Sequence, residues 1–214
     1  MYVDGYNFYY AIKNNLPEKQ LHLGWCDFGR LATLIVGDRG NVSRIKYFTA
    51  PVEHFGKRGG AEGGERQRQA LWLRAVRTIR PTVDVVEGFH NGDQAESSSS
   101  RHKSRSEKAT DVNMAIALVL DAAKRVYDRA ILVSNDYDQM PAVEAVIKEF
   151  VRPVEIWLPP GYEKGRWADL ERYSMVTVRA ITVDMLATCR LADILHDERG
   201  RIEAPSIWRA SAPA

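Results

Sequence analysis

Residues 107–138, EKATDVNMAIALVLDAAKRVYDRAILVSNDYD, constrain the fold more than any other stretch. From Val112 the apolar side chains recur as Val112, Ile116, Val119, Leu120 and Ala123, the spacing of one helix face. Thr110 is a candidate N-cap, and Asp111 in the first turn suits the positive end of the helix dipole. The run Ala130-Ile131-Leu132-Val133 holds no polar residue, as expected of a parallel strand covered on both faces. Directly after it stand Ser134, Asn135, Asp136 and Asp138. Pro141 follows, where a helix can begin without a backbone donor. Open α/β sheets bind their ligands at strand ends of this kind.

Asp and Asn after a strand are also ordinary turn and cap residues. A second element of the same type shifts the balance toward a site. Met1-Tyr2-Val3 reads as a short strand, followed by Asp4-Gly5-Tyr6-Asn7 and a helix to about residue 14. In a parallel sheet both strand ends reach one edge, where Asp111 at its helix start can join them. Carboxylates about 5 Å apart repel by roughly 3 kcal/mol per pair at an effective dielectric near 20. A hard divalent cation is the natural partner of such an oxygen cluster.

These residues resemble the NYN domain, a branch of the PIN-like nucleases. The resemblance is carried by Asp4-Gly5-Tyr6-Asn7, by Glu107-Lys108 with Asp111 and Asn113, and by Ser134-Asn135-Asp136 with Asp138. Tyr47-Phe48-Thr49-Ala50, Arg66-Gln67 and Leu158-Pro159-Pro160-Gly161 add to it, so that most of the chain is covered. Two departures stand out: only three residues precede Asp4, a strand that lengthens if translation starts upstream, and Asn135 stands where the family usually has Gly. The resemblance implies a Rossmann-like, PIN-like three-layer α/β fold and a Mg²⁺- or Mn²⁺-dependent ribonuclease, with Asp4, Asp111 and Asp136 as the acidic core. On this reading those three hold the metal, and Asp138 is a further ligand or orients the attacking water. Asn7 and Ser134 position a phosphate or a ligating carboxylate. Lys108 is a candidate phosphate contact, and Asp121, mid-helix, is a surface or supporting position.

The rest of the chain alternates strands and helices, which predicts a mostly parallel sheet of about five or six strands with helices on both faces. Asp27 can cap a helix over Phe28–Val36 with Leu31, Leu34 and Ile35 inward, after a loop from 16 to 25. Further strands are expected at 42–50, 82–86, 154–158 and 176–178, and helices at 64–79, 142–150, 168–172 and 183–189. Tyr9 and Tyr10 read as packing aromatics, with base stacking as the alternative. The Gly-rich stretch 53–65 lacks the GxxxxGK[ST] pattern of a nucleotide-binding loop. The stretch 91–105 is of low complexity and ends in Arg101, Lys103 and Arg105. Those cations are either phosphate contacts for an RNA substrate or part of a solvated loop.

At 214 residues and 45% hydrophobic the chain suits one nuclease domain, 1–190, with a C-terminal tail, 191–214, that packs through Ser206-Ile207-Trp208. A net charge of +2 says little about partners. Cys26 and Cys189 are isolated, pointing to buried small hydrophobes in a reducing compartment. Without a signal sequence or an apolar run near 18 residues, a cytoplasmic location and no membrane partner are expected, with homo-oligomers open. Two other functions compete: a catalytically silent RNA-binding module acting through a partner, and a dehalogenase-type phosphohydrolase. The second wants an N-terminal Asp-x-Asp, where this chain has Asp4-Gly5-Tyr6.

Overall fold

The computed structural model describes residues 1–51, 62–79, 82–90 and 107–209. Strand β1 (Tyr2–Asp4) runs straight into α1 (Gly5–Asn15), and a 3-10 segment (Glu18–Gly24) precedes α2 (Phe28–Val36). Then come β2 (Ile45–Thr49), α3 (Glu62–Val76), β3 (Val83–Glu87), and a short antiparallel ribbon of β4 (Phe89–His90) with β5 (Glu107–Lys108). Helix α4 (Thr110–Ala123), β6 (Ala130–Val133), α5 (Met140–Phe150), β7 (Val154–Leu158), β8 (Val176–Ala180) and α6 (Val183–Thr188) follow. A hairpin of β9 (Ile194–Asp197) and β10 (Gly200–Glu203) comes last.

The central sheet has six strands in the order β3-β2-β1-β6-β7-β8, every neighbouring pair parallel. Val3 sits between Tyr47 on β2 and Val133 on β6. From β1 the chain winds outward through β2 to β3, and from β6 it winds outward the other way. The strand order therefore reverses between β1 and β6, and the helices that leave those two strands diverge to open a crevice there. On one face, Val3, Ile45, Tyr47 and Val133 pack against α1, α2, α3 and α6. On the other, Tyr2, Phe48, Leu132 and Ile156 pack against α4 and α5. This is a three-layer α/β fold of the expected class. Val143, Val146 and Ile147 of α5 are buried, each stabilising by roughly 1.5 to 3 kcal/mol.

Several expectations are corrected. The apolar stripe read on α4 faces outward: Val112, Ile116 and Leu120 are exposed, and Met114, Leu118 and Ala122 form the buried face. Helix α4 is apolar nearly all round, so periodicity alone cannot say which face meets the sheet. Thr110 is not its cap; Ala109 takes the N-cap position in a left-handed conformation (φ 72°) with no side-chain hydrogen bond. Asp27 does cap α2, accepting from the Gly29 and Arg30 amides, but Leu34 is exposed and Ala32 takes its place in the core. The loop before α2 is largely 3-10 helix, and Tyr10 is 45% exposed. Asp121 is buried, with its carboxylate accepting from the Tyr2 hydroxyl and the Lys46 ammonium, both at 2.6 Å.

Beyond residue 190 the sequence signalled no strands, yet the β9–β10 hairpin forms and places Ile202 in the core. Trp208 stacks on Trp25 with ring centroids 5.7 Å apart. Cys26 and Cys189 are buried free thiols. Among the described residues, no helix is long and apolar enough to cross a membrane.

Candidate functional site

Asp4 is the last residue of β1 and the N-cap of α1, and it is only 4% exposed. Its Oδ1 accepts the Asn7 amide at 2.9 Å and its Oδ2 accepts the Ser134 hydroxyl at 3.0 Å. The turn from strand to helix is tight because residue 5 is glycine. A Cβ there would lie 2.6 Å from the Phe48 carbonyl oxygen and from the Tyr47 ring. Asp4 therefore reaches its place only because α1 can cross directly over the end of β2.

Across the crevice, Ser134 directly follows β6, is fully buried and serves both sides. It donates to Asp4 and accepts the Asp136 amide at 3.0 Å. Asn7 fastens the same two segments, its Oδ1 accepting the Asn135 amide at 2.8 Å. Asp136 caps the following 3-10 turn by accepting the Asp138 amide. The third carboxylate, Asp111, comes from the first turn of α4, whose main-chain carbonyl at that residue accepts from buried Gln139 at 3.1 Å.

Asp4, Asp111 and Asp136 each place a carboxylate oxygen within 4.8 Å of the others. At that spacing each ionised pair repels by roughly 3 kcal/mol at an effective dielectric near 20. No lysine, arginine or histidine among the described residues forms an ion pair with them or with Asp138. The strain shows in the titration of Asp4 and Asp111. Burial, followed by the neighbouring charges of Asp111 and Asp136, pushes Asp4 up to about 7 despite its two hydrogen bonds. Asp111 is also raised, by lost solvation first and then by Asp136 and Asp138.

The donor set fits a hard divalent cation: oxygen only, three separate carboxylates, converging from three elements. Thr110 Oγ1, Asn135 Oδ1 and Gln139 Oε1, on residues next to or bonded to this cluster, are buried with no hydrogen-bond partner among the described residues. Such atoms are suited to receiving ordered water.

The structure brings together Asp4, Asp111, Asp136, Ser134 and Asn7. Asp138 is exposed, outside the three-carboxylate cluster yet near enough to act on Asp111. Full burial removes Ser134 from reach of a substrate and leaves it the carboxylate-positioning role. The backbone of Lys108 pairs with Phe89 in the ribbon that precedes α4. Arg101, Lys103 and Arg105 lie outside the described residues. Gly5, quoted only within the Asp4-Gly5-Tyr6-Asn7 motif, was given no role of its own in the sequence, and Gln139 was not singled out at all. Glycine directly after a strand-end aspartate is a usable signal for the first; nothing local marks the second.

The profile of the NYN domain matches residues 1–169, so it covers both strand ends and the helix that supply the carboxylates. The chain belongs to the NYN domain family. As an NYN protein it falls within the PIN-like nuclease superfamily. A Pseudomonas putida protein named 6-hydroxy-3-succinoylpyridine 3-monooxygenase HspA is 26% identical, over 97% of this NYN chain and 74% of its own length. A crystal structure of a Vibrio parahaemolyticus protein of unknown function is similar at TM-score 0.48 and 19% identity, covering 85% of this chain and 90% of that one.

Proposed function

We propose that this NYN protein is a metal-dependent ribonuclease that hydrolyses phosphodiester bonds within RNA, with Mg²⁺ or Mn²⁺ held by Asp4, Asp111 and Asp136. One observation carries the reading: three carboxylates converge at the strand-order reversal with no cationic side chain among the described residues paired to them. Membership of a nuclease superfamily supports it. When bound, the ion would neutralise charge on the phosphate and make water more acidic. The residues themselves do the positioning. Ser134 sets the Asp4 carboxylate and the Asp136 backbone through one hydroxyl. Asn7 locks the two strand ends at a constant distance. Asp138, exposed beside the cluster, orients the attacking water and takes its proton, while the leaving ribose oxygen takes a proton from solvent. Arg101, Lys103, Arg105 and Lys108 are proposed to contact backbone phosphates, which position a strand without reading its sequence.

The test is incubation of purified protein with mixed RNA in Mn²⁺, Mg²⁺ or EDTA, beside Asp136→Asn. Cleavage that needs metal and is lost in the variant is the expected result. RNA bound but left intact across metals and substrates would point to a binding module. Oxygen uptake with 6-hydroxy-3-succinoylpyridine in place of cleavage would favour the chemistry stated in the relative's name.

A further inference from the structure

One face of α1 leads away from the carboxylates and is lined with tyrosine. Tyr6 stands two residues beyond Asp4, tied to the end of β2 by a hydrogen bond from its hydroxyl to the Ala50 carbonyl at 3.0 Å. Tyr10, one turn further, lies nearly parallel to it at 22°, centroids 6.2 Å apart, and is 45% exposed. Tyr9 braces Tyr10 edge-on at 5.2 Å. The Lys13 ammonium sits over both outer rings, 5.7 Å from Tyr9 and 5.9 Å from Tyr10.

Packing does not require this arrangement. An exposed tyrosine held in one orientation by two other rings gives up solvent contact without entering the core. Helix α1 holds no acidic residue, and Lys13 forms no ion pair with any described residue. The face is thus aromatic and cationic, the composition that suits a nucleic acid strand with free base faces. Tyr10 lies six residues past Asp4, roughly 9 Å along the helix axis, so the platform adjoins the crevice. Across the crevice a second cation–ring pair recurs. The exposed Arg166 guanidinium covers Tyr137 at 5.8 Å, and Tyr137 sits between Asp136 and Asp138 in the chain.

We infer that Tyr10, steadied by Tyr6 and Tyr9, is a stacking platform for a base of single-stranded RNA entering the carboxylate site, with Lys13 as its phosphate contact. This rests on the ribonuclease reading and narrows it to a substrate class. In the free protein Lys13 covers the ring; an incoming base takes that position, and the ammonium swings on its flexible stem to the backbone phosphate. A base paired in a duplex offers no free face, so the platform discriminates against double strands.

The experiment measures binding of a labelled single-stranded oligoribonucleotide and of its duplex, in EDTA so that nothing is cut. Tyr10→Ala should weaken single-strand binding roughly tenfold and leave duplex binding unchanged, while Tyr10→Phe, which keeps the ring, should bind as wild type. A fluorescent base analogue in the strand should lose its stacking-dependent quenching in Tyr10→Ala and retain it in Tyr10→Phe. Lys13→Ala should reduce the slope of log affinity against log salt by about one. Melting temperatures, with and without Mn²⁺, should match wild type in all three variants, since none of these side chains lies in the core or the metal centre. Equal single-strand affinity in wild type and Tyr10→Ala overturns the platform. If wild type then still cleaves RNA with metal, the ribonuclease reading survives that failure. Binding and quenching as expected without cleavage under any metal would overturn catalysis and keep the platform. Neither binding nor cleavage overturns both.

Discussion

At the C-terminal edge of the sheet, Asp4, Asp111 and Asp136 face one another with no ion-pair partner among the described residues. At the N-terminal edge of the same strands every buried acid is matched. Asp121 takes Tyr2 and Lys46, each at 2.6 Å, and Glu155 takes Arg39 and Arg129 at 2.6 Å with the Trp157 indole at 3.2 Å. Burial pushes the Glu155 carboxyl up, but those donors hold it below its ordinary value. A cavity of about 160 Å³ opens at this edge between Arg39, Arg44, Lys46, Asp121, Arg129 and Glu155, yet each of these four cationic side chains already has a carboxylate. Concavity by itself is therefore a poor guide in this protein. The edge that closes its electrostatics contributes stability, and the edge where three carboxylates have no ion-pair partner among the described residues could hold a cation.

The largest test of that contrast is Asp136→Asn. The amide can still cap the Asp138 backbone, so the fold should persist while metal-dependent RNA cleavage falls by orders of magnitude, read in a single-turnover assay. Asp121→Asn at the other edge should retain cleavage in whatever fraction stays folded. Cleavage lost equally in both variants would erase the distinction between the edges.

The two edges should also respond oppositely to pH in metal-free protein. Asp4 has its carboxyl raised from 3.8 to about 7, so the folded state holds a proton that the unfolded chain has lost between those values. Stability should fall as pH rises from about 4 to 7, by up to roughly 4 kcal/mol, then level off. Denaturant midpoints across that range should show the slope, and Asp4→Asn should flatten it. Glu155 runs the other way: its lowered value means stability present above about 4.5 and lost as pH falls below it. The increase in melting temperature caused by Mn²⁺ should grow as pH rises through 7, since metal and proton compete for Asp4.

Lys46→Met strands the buried Asp121 carboxylate and should cost roughly 3 kcal/mol by urea unfolding, with metal binding per folded molecule unchanged. Gly5→Ala should cost about 1 to 3 kcal/mol, because the new methyl meets the Phe48 carbonyl. It should weaken metal affinity as well, by displacing Asp4. Asp111→Asn is the smallest effect and has the opposite sign. Removing an uncompensated charge near the surface should leave metal-free stability equal or higher by up to about 1 kcal/mol, whereas removing a partner at the other edge always lowers it. A destabilised Asp111→Asn would mean that the carboxylate cluster is structural.

Local sequence was enough for what depends on neighbours along the chain. The unbroken apolar run of β6, the capping of α2 by Asp27 and the alternation of strand and helix all lie within one or two turns of chain. Asp4 and Asp136 were legible for the same reason, since strand ends of a parallel sheet share an edge whatever the strand order. What tertiary structure alone decided is partnership at a distance. Helix α4 offers apolar residues on every side, and only docking on the sheet selected Met114 and Leu118 over Ile116 and Leu120. Asp121 was left open as a surface or supporting position because Lys46 and Tyr2, its partners, are 75 and 119 residues away in sequence. The sequence offered Ser134 and Asn7 either a phosphate or a carboxylate to position, and their actual partners, the Asp4 carboxylate and the Asn135 amide, were set only when β1 and β6 were laid side by side. Side-chain periodicity reports which residues share a face; which face meets which neighbour is set by contacts that no local pattern encodes.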